Sequence, residues 1–244
     1  MSKKQLALVI DLNVCVGCHA CVTSCKEWNT SGAAGPMSDQ QPFGADPSGT
    51  FFNRVQTFEV GEFPNTETGH FPQSCHHCED PPCVPVSPTG ASYKRESDGI
   101  VLVDYDKCIG CKYCAWACPY GARELDANQK VMKKCTLCVD RIYDPKLPER
   151  DRQPACVLAC PTSARIFGDI HDPQSEASRA IREEGGYALM PEWGTLPANH
   201  YLPRRKTRIR IHADELVRAD NPLAVEGHLP KPAADAATLE DAGF

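Results

Sequence analysis

Four stretches of the chain open with the same pair, Cys-x-x-Cys, and together they hold all 15 cysteines. Cys15, Cys18, Cys21 and Cys25 follow the spacing C-x2-C-x2-C-x3-C. Cys108, Cys111, Cys114 and Cys118 repeat it, with Pro119 behind the last. Cys75, Cys78 and Cys83 are followed by Ser87 and Pro88, and Cys135 and Cys138 are joined after an insertion by Cys156, Cys160 and Pro161. A run C-x2-C-x2-C-x3-C-P supplies three thiolates to one cubane iron–sulfur cluster, and its fourth cysteine ligates the other cluster of a two-cluster ferredoxin. The tight first pair lets a loop wrap the cluster with its N–H groups toward the sulfurs, and the closing proline fixes φ and removes a competing donor. The chemistry of such sites is one-electron transfer. Zinc is the second reading, but structural zinc sites are built from two separated pairs, not from the crowded triple of Cys15, Cys18 and Cys21.

Repetition extends beyond cysteine. "VIDLNVCVGC" (Val9–Cys18) matches "LVDYDKCIGC" (Leu102–Cys111) at a constant offset of 93 residues. "SPTGA" at 87, "CPYGA" at 118 and "CPTSA" at 160 all fit x-P-x-x-A. Ser87 therefore stands where the repeat calls for a cysteine.

The elements that must position these residues are short. Apolar, β-branched runs lead into two of the groups, "LALVI" from Leu6 and "GIVLVDY" from Gly99 to Tyr105, and "FFNRVQTFEV" (Phe51–Val60) reads as a further strand. A Gly/Pro/Ser-rich loop fills Ser31 to Thr50, and short helices are expected at Ala20–Trp28 and Tyr113–Ala117. Little conventional hydrophobic core is visible, so clusters are expected to centre the fold and folding to depend on metal. The fold class is α+β: two nested bacterial two-cluster ferredoxin-like modules with short strands, short helices and long loops. The outer module takes residues 1–30 and 126–170, the inner module 71–125, with a connecting loop and hairpin at 31–70. Residues 171–244 are expected to form an irregular C-terminal extension that wraps a partner, because they are poor in periodic apolar residues.

Composition narrows the class. The net charge of −6 argues against a nucleic-acid partner, and no stretch approaches the roughly 20 apolar residues of a membrane span. The N-terminus offers only the apolar run Leu6–Ile10 before Asp11, which is no secretory leader. Synthesis and metal insertion in the reducing cytoplasm are the expectation, and an odd cysteine count excludes complete disulfide pairing. The basic run "RRKTRIR" (Arg204–Arg210) reads equally as a solvated face or a docking patch for a partner or anionic lipid.

The stretches "CVGCHACVTSCKEWN", "CHHCEDPPCVPV", "CIGCKYCAWACPYGARELD" and "KCTLCVDRIYDPKLPERDRQPACVLACPTSARIFGD" resemble the four-cluster iron–sulfur subunit of the dimethyl sulfoxide reductase family of molybdoenzymes, over roughly Gln5 to Asp169. The whole chain, including "YALMPEWGTLPANHYLPRRKTR", looks most like the branch found in membrane-bound sulfite-oxidising enzymes. The resemblance implies four clusters: one on Cys15, Cys18, Cys21 and Cys160; a second on Cys135, Cys138, Cys156 and Cys25; a third on Cys75, Cys78, Cys83 and Cys118; a fourth on Cys108, Cys111 and Cys114, with Ser87 in the remaining place. It also implies a large molybdopterin catalytic subunit next to the first cluster and an integral membrane anchor subunit with quinone next to the fourth. Its expected setting is the cytoplasmic face of the inner membrane, without a span of its own; the alternative is export to the periplasm together with the catalytic subunit.

A serine hydroxyl is hard to deprotonate and its oxygen is a hard donor, so it ligates iron poorly. The fourth site then holds a 3Fe-4S cluster beside three 4Fe-4S clusters, or keeps four irons with a serine alkoxide or water, or the serine is incidental. His19, His76 and His77 lie inside cluster loops, where hydrogen bonding around the ligands or simple exposure is expected in place of ligation. Trp28 and Trp116 are expected to pack against cluster faces. The chain has no nucleotide-binding glycine loop and no nucleophile with a base, so the reading is a non-catalytic electron-transfer subunit, with sulfite oxidation at its partner. Reduction of sulfoxide, polysulfide, thiosulfate or tetrathionate at that partner, and a free polyferredoxin, are the alternatives.

Overall fold

The computed structural model describes residues 4–30 and 50–205. The loop read at 31–50, except Thr50, and the basic run and tail beyond Arg205 lie outside these residues. Contacts divide the chain into two units, one of which contains the chain to Phe58 and Gly69–Arg205. The described part of the other, Glu59–Thr68, comprises the ends of two strands and the turn between them, in which Asn65 N–H donates to Glu62 O at 2.7 Å.

The molecule is α+β, as the sequence indicates, with elements of three to ten residues. Strand β1 (Leu6–Asp11) leads into helix α1 (Ala20–Asn29), and β2 (Asn53–Val60) pairs with β3 (Glu67–Ser74). Two antiparallel hairpins follow, β4 (Ser92–Lys94) with β5 (Val101–Val103) and, beyond helix α2 (Tyr113–Trp116), β6 (Glu124–Asp126) with β7 (Val131–Lys133). Helices α3 (Val139–Ile142) and α4 (Ala155–Leu158) precede β8 (Arg165–Asp169), α5 (Glu176–Glu183) and β9 (His200–Leu202).

β1 is the middle of a three-stranded sheet, antiparallel to β8 and parallel to β9. That position explains its unbroken apolar run, since a strand covered on both faces has no polar side to present. Leu6 and Leu8 face a core shared with Cys21, Cys25, Cys75, Cys135, Cys156, Phe52, Ile100 and Leu137. Val9 faces the other way, onto Ala177 and Ala180 of α5. The small residues of α5 allow this approach, and its first turn is capped by Ser175 Oγ, which accepts Ser178 N–H at 3.0 Å. An aliphatic core thus exists, contrary to expectation, and it is interleaved with cysteines.

The stretch after residue 170 also departs from expectation. Up to Arg205 it is built into the fold rather than forming an irregular extension: α5 packs on the sheet, and Tyr201 and Leu202 of β9 are fully buried. A single side chain fixes this return. Buried Asn199 accepts Leu8 N–H at 2.9 Å and donates to Cys75 O at 3.0 Å. A three-residue strand has no periodicity to read, and its anchor is a contact across 191 residues of sequence.

Candidate metal centre

Each Cys-x-x-Cys loop bends in the same way. The residue just before the second cysteine is left-handed in all four: Gly17 (φ 64°), His77 (48°), Gly110 (67°) and Leu137 (52°). A turn that passes from right- to left-handed backbone presents successive N–H groups to one point and forms an anion-binding nest, the geometry of many iron–sulfur sites. Glycine is required at 110, where a Cβ would lie 2.4 Å from the backbone oxygen of Lys130, while a Cβ on Gly17 would lie 2.3 Å from the side-chain Nδ1 of His70. His77 and Leu137 carry the strained conformation with side chains, a cost of about 1–3 kcal/mol each. Both are buried, and His77 Nδ1 accepts Val101 N–H at 3.1 Å.

The x-P-x-x-A segments are one turn used three times. Gly90 N–H donates to Ser87 O at 3.1 Å, Gly121 N–H to Cys118 O at 3.3 Å and Ser163 N–H to Cys160 O at 3.3 Å. The donor residue is left-handed in each, with φ of 64°, 58° and 54°. Proline at the second position and glycine at the fourth suit such a turn. The backbone then returns to the first residue's side chain: Ala164 N–H donates to Cys160 Sγ at 3.2 Å, and Ser92 N–H to Ser87 Oγ at 3.3 Å.

These loops bring the cysteines together in sets. Cys15, Cys18, Cys21 and Cys160 line one recess of about 330 Å³. Ser87, Cys108, Cys111 and Cys114 line another of about 300 Å³, and Cys75, Cys78, Cys83 and Cys118 a third of about 320 Å³. Cys25, Cys135, Cys138 and Cys156 are buried in mutual electrostatic range. Asn29 Nδ2 donates to both Cys25 Sγ (3.6 Å) and Cys138 Sγ (3.5 Å). Tetrahedral zinc requires four donors within about 2.3 Å of one point, and no group of three or more Cys, His, Asp or Glu among the described residues is placed to hold a single ion. Recesses with three or four thiols on their walls suit a cluster instead.

The charges agree with that fit. Burial pushes the Cys156 thiol up to about 11 and Cys78 up to about 12, and raises Cys25 and Cys135 further in the same direction. A metal entering the site would displace these protons. Three cations are buried with no carboxylate partner among the described residues: Arg123 (6% exposed), Arg165 (4%) and Lys134 (2%). Arg123 Nη2 donates to Cys83 Sγ at 2.9 Å and Arg165 Nη1 to Cys156 Sγ at 3.8 Å. Burial alone would lower both guanidinium pKa values, but the surrounding thiols raise them above the usual arginine range. Arg123 Nη1 is buried without a hydrogen-bond partner. Isolated buried cations are costly, and a thiolate-bound cluster is an anion suited to both.

Neither arginine stands out in the sequence, although each lies five residues after the cysteine of a C-P-x-x-A segment, at the end of C-P-x-x-A-R. The aromatic expectations fail. Trp116 is 80% exposed, and Trp28 is an exposed lid over Arg141 whose Nε1 donates to Asp140 Oδ2 at 3.0 Å. His76 and His77 are buried, not exposed, and His76 stays neutral because burial, then nearby His200, pulls its pKa to about 4. Tyr120 and Thr195 carry no signal in the sequence either. Their hydroxyls lie 2.5 Å apart, and Thr195 also hydrogen-bonds Cys78.

Comparison with known proteins adds four findings. The 4Fe-4S dicluster domain family matches residues 66–170. The chain is 79% identical to the B subunit of sulfite dehydrogenase from Allochromatium vinosum over 91% of its own length and 92% of that protein's. It is 40% identical to the NrfC homolog of Haemophilus influenzae, across 82% of this chain and 80% of that one, and 38% identical to the B subunit of tetrathionate reductase from Salmonella typhimurium, across 82% and 73%.

Proposed function

The chain belongs to the iron–sulfur subunit family that includes NrfC and the B subunits of sulfite dehydrogenase and tetrathionate reductase, and from that premise we propose that it carries electrons from sulfite oxidation at a molybdopterin catalytic subunit to a quinone-reactive membrane subunit. The observation that carries this reading is the sorting of its cysteines into four separate sets, three of them around recesses of similar size. Such an arrangement offers a series of one-electron sites. When bound, iron–sulfur clusters supply reversible one-electron storage.

The residues divide the work. Cys15, Cys18, Cys21 and Cys160 hold the first cluster, and Cys25, Cys135, Cys138 and Cys156 the second, in an outer module. Cys75, Cys78, Cys83 and Cys118 hold the third, and Cys108, Cys111 and Cys114 the fourth, in an inner module nested within the other. The fourth site is a 3Fe-4S cluster. Its recess carries the Ser87 hydroxyl in place of a thiol, and that oxygen already accepts the Ser92 N–H. The chain itself is non-catalytic. No helix among the described residues is long and apolar enough to cross a membrane, so contact with quinone falls to the anchor subunit.

The test is to isolate the chain with whatever subunits it retains, air-oxidise the complex and add sulfite under electron paramagnetic resonance. Retention of a molybdenum subunit, an oxidised three-iron signal and its bleaching by sulfite are expected. Clusters that sulfite leaves oxidised would remove the substrate assignment, and four four-iron clusters would remove the assignment of the fourth site. The proposed location is the cytoplasmic face of the inner membrane; protease protection in vesicles of opposite orientation tests it.

A further inference from the structure

Arg123 and Arg165 occupy equivalent places. Each follows its fourth-position cysteine by five residues, Cys118 and Cys160 respectively. Each is buried, and each donates to a thiol: Arg123 to Cys83, and Arg165 to Cys156. Each also reaches a second cysteine set. Arg123 is the one residue that lines both the Cys75/Cys78/Cys83/Cys118 recess and the Ser87/Cys108/Cys111/Cys114 recess. Arg165 lines the Cys15/Cys18/Cys21/Cys160 recess while its Nη1 donates to Cys156 of the remaining set. At the same five-residue offset from Ser87 stands Ser92, whose Oγ accepts Arg123 Nη2 at 2.7 Å. Asn53 Oδ1 steadies Arg165 in a similar way at 2.8 Å.

A guanidinium held between two anionic sites acts on both. It favours the reduced, more negative form of each, and because the site is buried its field is little screened by water. It keeps its proton throughout, so one electron leaves one site and arrives at the other without a coupled proton.

We propose that Arg123 and Arg165 are redox-positioning residues, each a fixed positive charge shared by the two clusters of one module, Arg123 for the inner pair and Arg165 for the outer pair. The inference rests on the cluster assignment given under Proposed function. It predicts that the four potentials move in pairs: loss of one arginine lowers two of them and leaves the other two in place.

The experiment is a potentiometric titration, followed by electron paramagnetic resonance, of the full chain isolated with its clusters. It compares the wild type with Arg123→Gln, Arg165→Gln and the corresponding lysine variants. In R123Q the reduction equilibria of two clusters should fall at least tenfold, which is about 59 mV for a one-electron couple. In R165Q the other two should fall. The lysine variants keep the charge and should recover most of each shift. If a glutamine variant fails to load iron, its lysine partner decides: a smaller displacement in the same two clusters supports the proposal. Unmoved potentials, a shift in a single cluster, or a uniform shift of all four would overturn it. A merely structural arginine would lower iron content or melting temperature and leave the remaining potentials unpaired. A wild type without four clusters would instead overturn the assignment on which the inference rests.

Discussion

The turn from Cys160 to Ala164 and the turn from Ser87 to Ala91 have the same backbone and different first side chains. Both close with an N–H to carbonyl bond three residues apart, and both place a left-handed residue at the fourth position. In one, the backbone returns to a thiol through Ala164 N–H; in the other it returns to a hydroxyl through Ser92 N–H. The backbone is therefore set by proline and the left-handed residue, not by the metal donor. Donor chemistry can change at this place while the loop is kept, which separates the fold of a cluster site from the kind of cluster it holds.

The largest effect expected is that of removing iron from every site. Leu6, Leu8, Ile100 and Leu137 pack against Cys21, Cys25, Cys75 and Cys135 in one core, so extraction with acid and chelator should abolish the cooperative unfolding transition of the chain. A sharp transition in the iron-free chain would show that the aliphatic part of the core suffices. Next in size is an exchange of the two turns' side chains. Ser87→Cys should add about one iron per chain and remove an oxidised three-iron signal, and Cys160→Ser should do the reverse in the first recess. Iron analysis with electron paramagnetic resonance reads both. An S87C chain with unaltered iron would mean that the hydroxyl, or a water it holds, already completes the site.

Glycine at 110 tests the other shared feature, the left-handed residue before the second cysteine. Gly110→Ala brings a Cβ to 2.4 Å from Lys130 O at a φ of 67°. The conformational strain alone is about 1–3 kcal/mol, and the clash with backbone adds to it. Faster loss of the cluster on dilution into chelator is expected, confined to the site of Cys108, Cys111 and Cys114. Leu137 already bears a side chain in the matching position, but that side chain is buried in the core, so Leu137→Gly should still lower stability: the lost packing, about 2–5 kcal/mol for a buried leucine, outweighs the strain relieved.

Which parts were legible in the sequence follows from how far apart their causes lie. β1, α1 and α2 are local: apolar runs and cysteine spacing place them nearly to the residue. The grouping of thiols was readable only through the resemblance, since Cys25 and Cys160 each join a set far from their neighbours in sequence. The return of β9 was not readable, because its anchor is the side chain of Asn199. Arg123 and Arg165 were within reach. The x-P-x-x-A repeat closes on alanine, and one residue further gives arginine twice and serine once.

Asn199→Ala isolates that long-range anchor. It leaves Leu8 N–H and Cys75 O without their partner, and each buried group left unpaired costs about 1–3 kcal/mol. A fall in melting temperature of roughly 2–4 °C per kcal/mol is expected, together with weaker holding of the third set through Cys75. If only the melting temperature moves, the strap supports the sheet and not the metal loop.

The two tryptophans give the smallest contrast. Both lie three residues or fewer from a cluster cysteine, so sequence proximity treats them alike, whereas the structure separates them. Trp28 covers the Arg141 guanidinium at 4.5 Å from its ring centroid and binds Asp140; an exposed cation–π contact contributes about 0.5–1 kcal/mol. Trp116 has the ring of Tyr113 at 6.0 Å between centroids and is 80% exposed. Trp28→Ala should therefore lower stability by roughly that amount, and Trp116→Ala should stay within about 0.5 kcal/mol. A partner subunit that docks over this face would cover Trp116, which is exposed and lies two residues from Cys114. Trp116→Ala should then weaken association with the other subunits while leaving the melting temperature and iron content of the chain unchanged. Equal loss of stability in the two variants would mean that both rings pack on the metal loops after all.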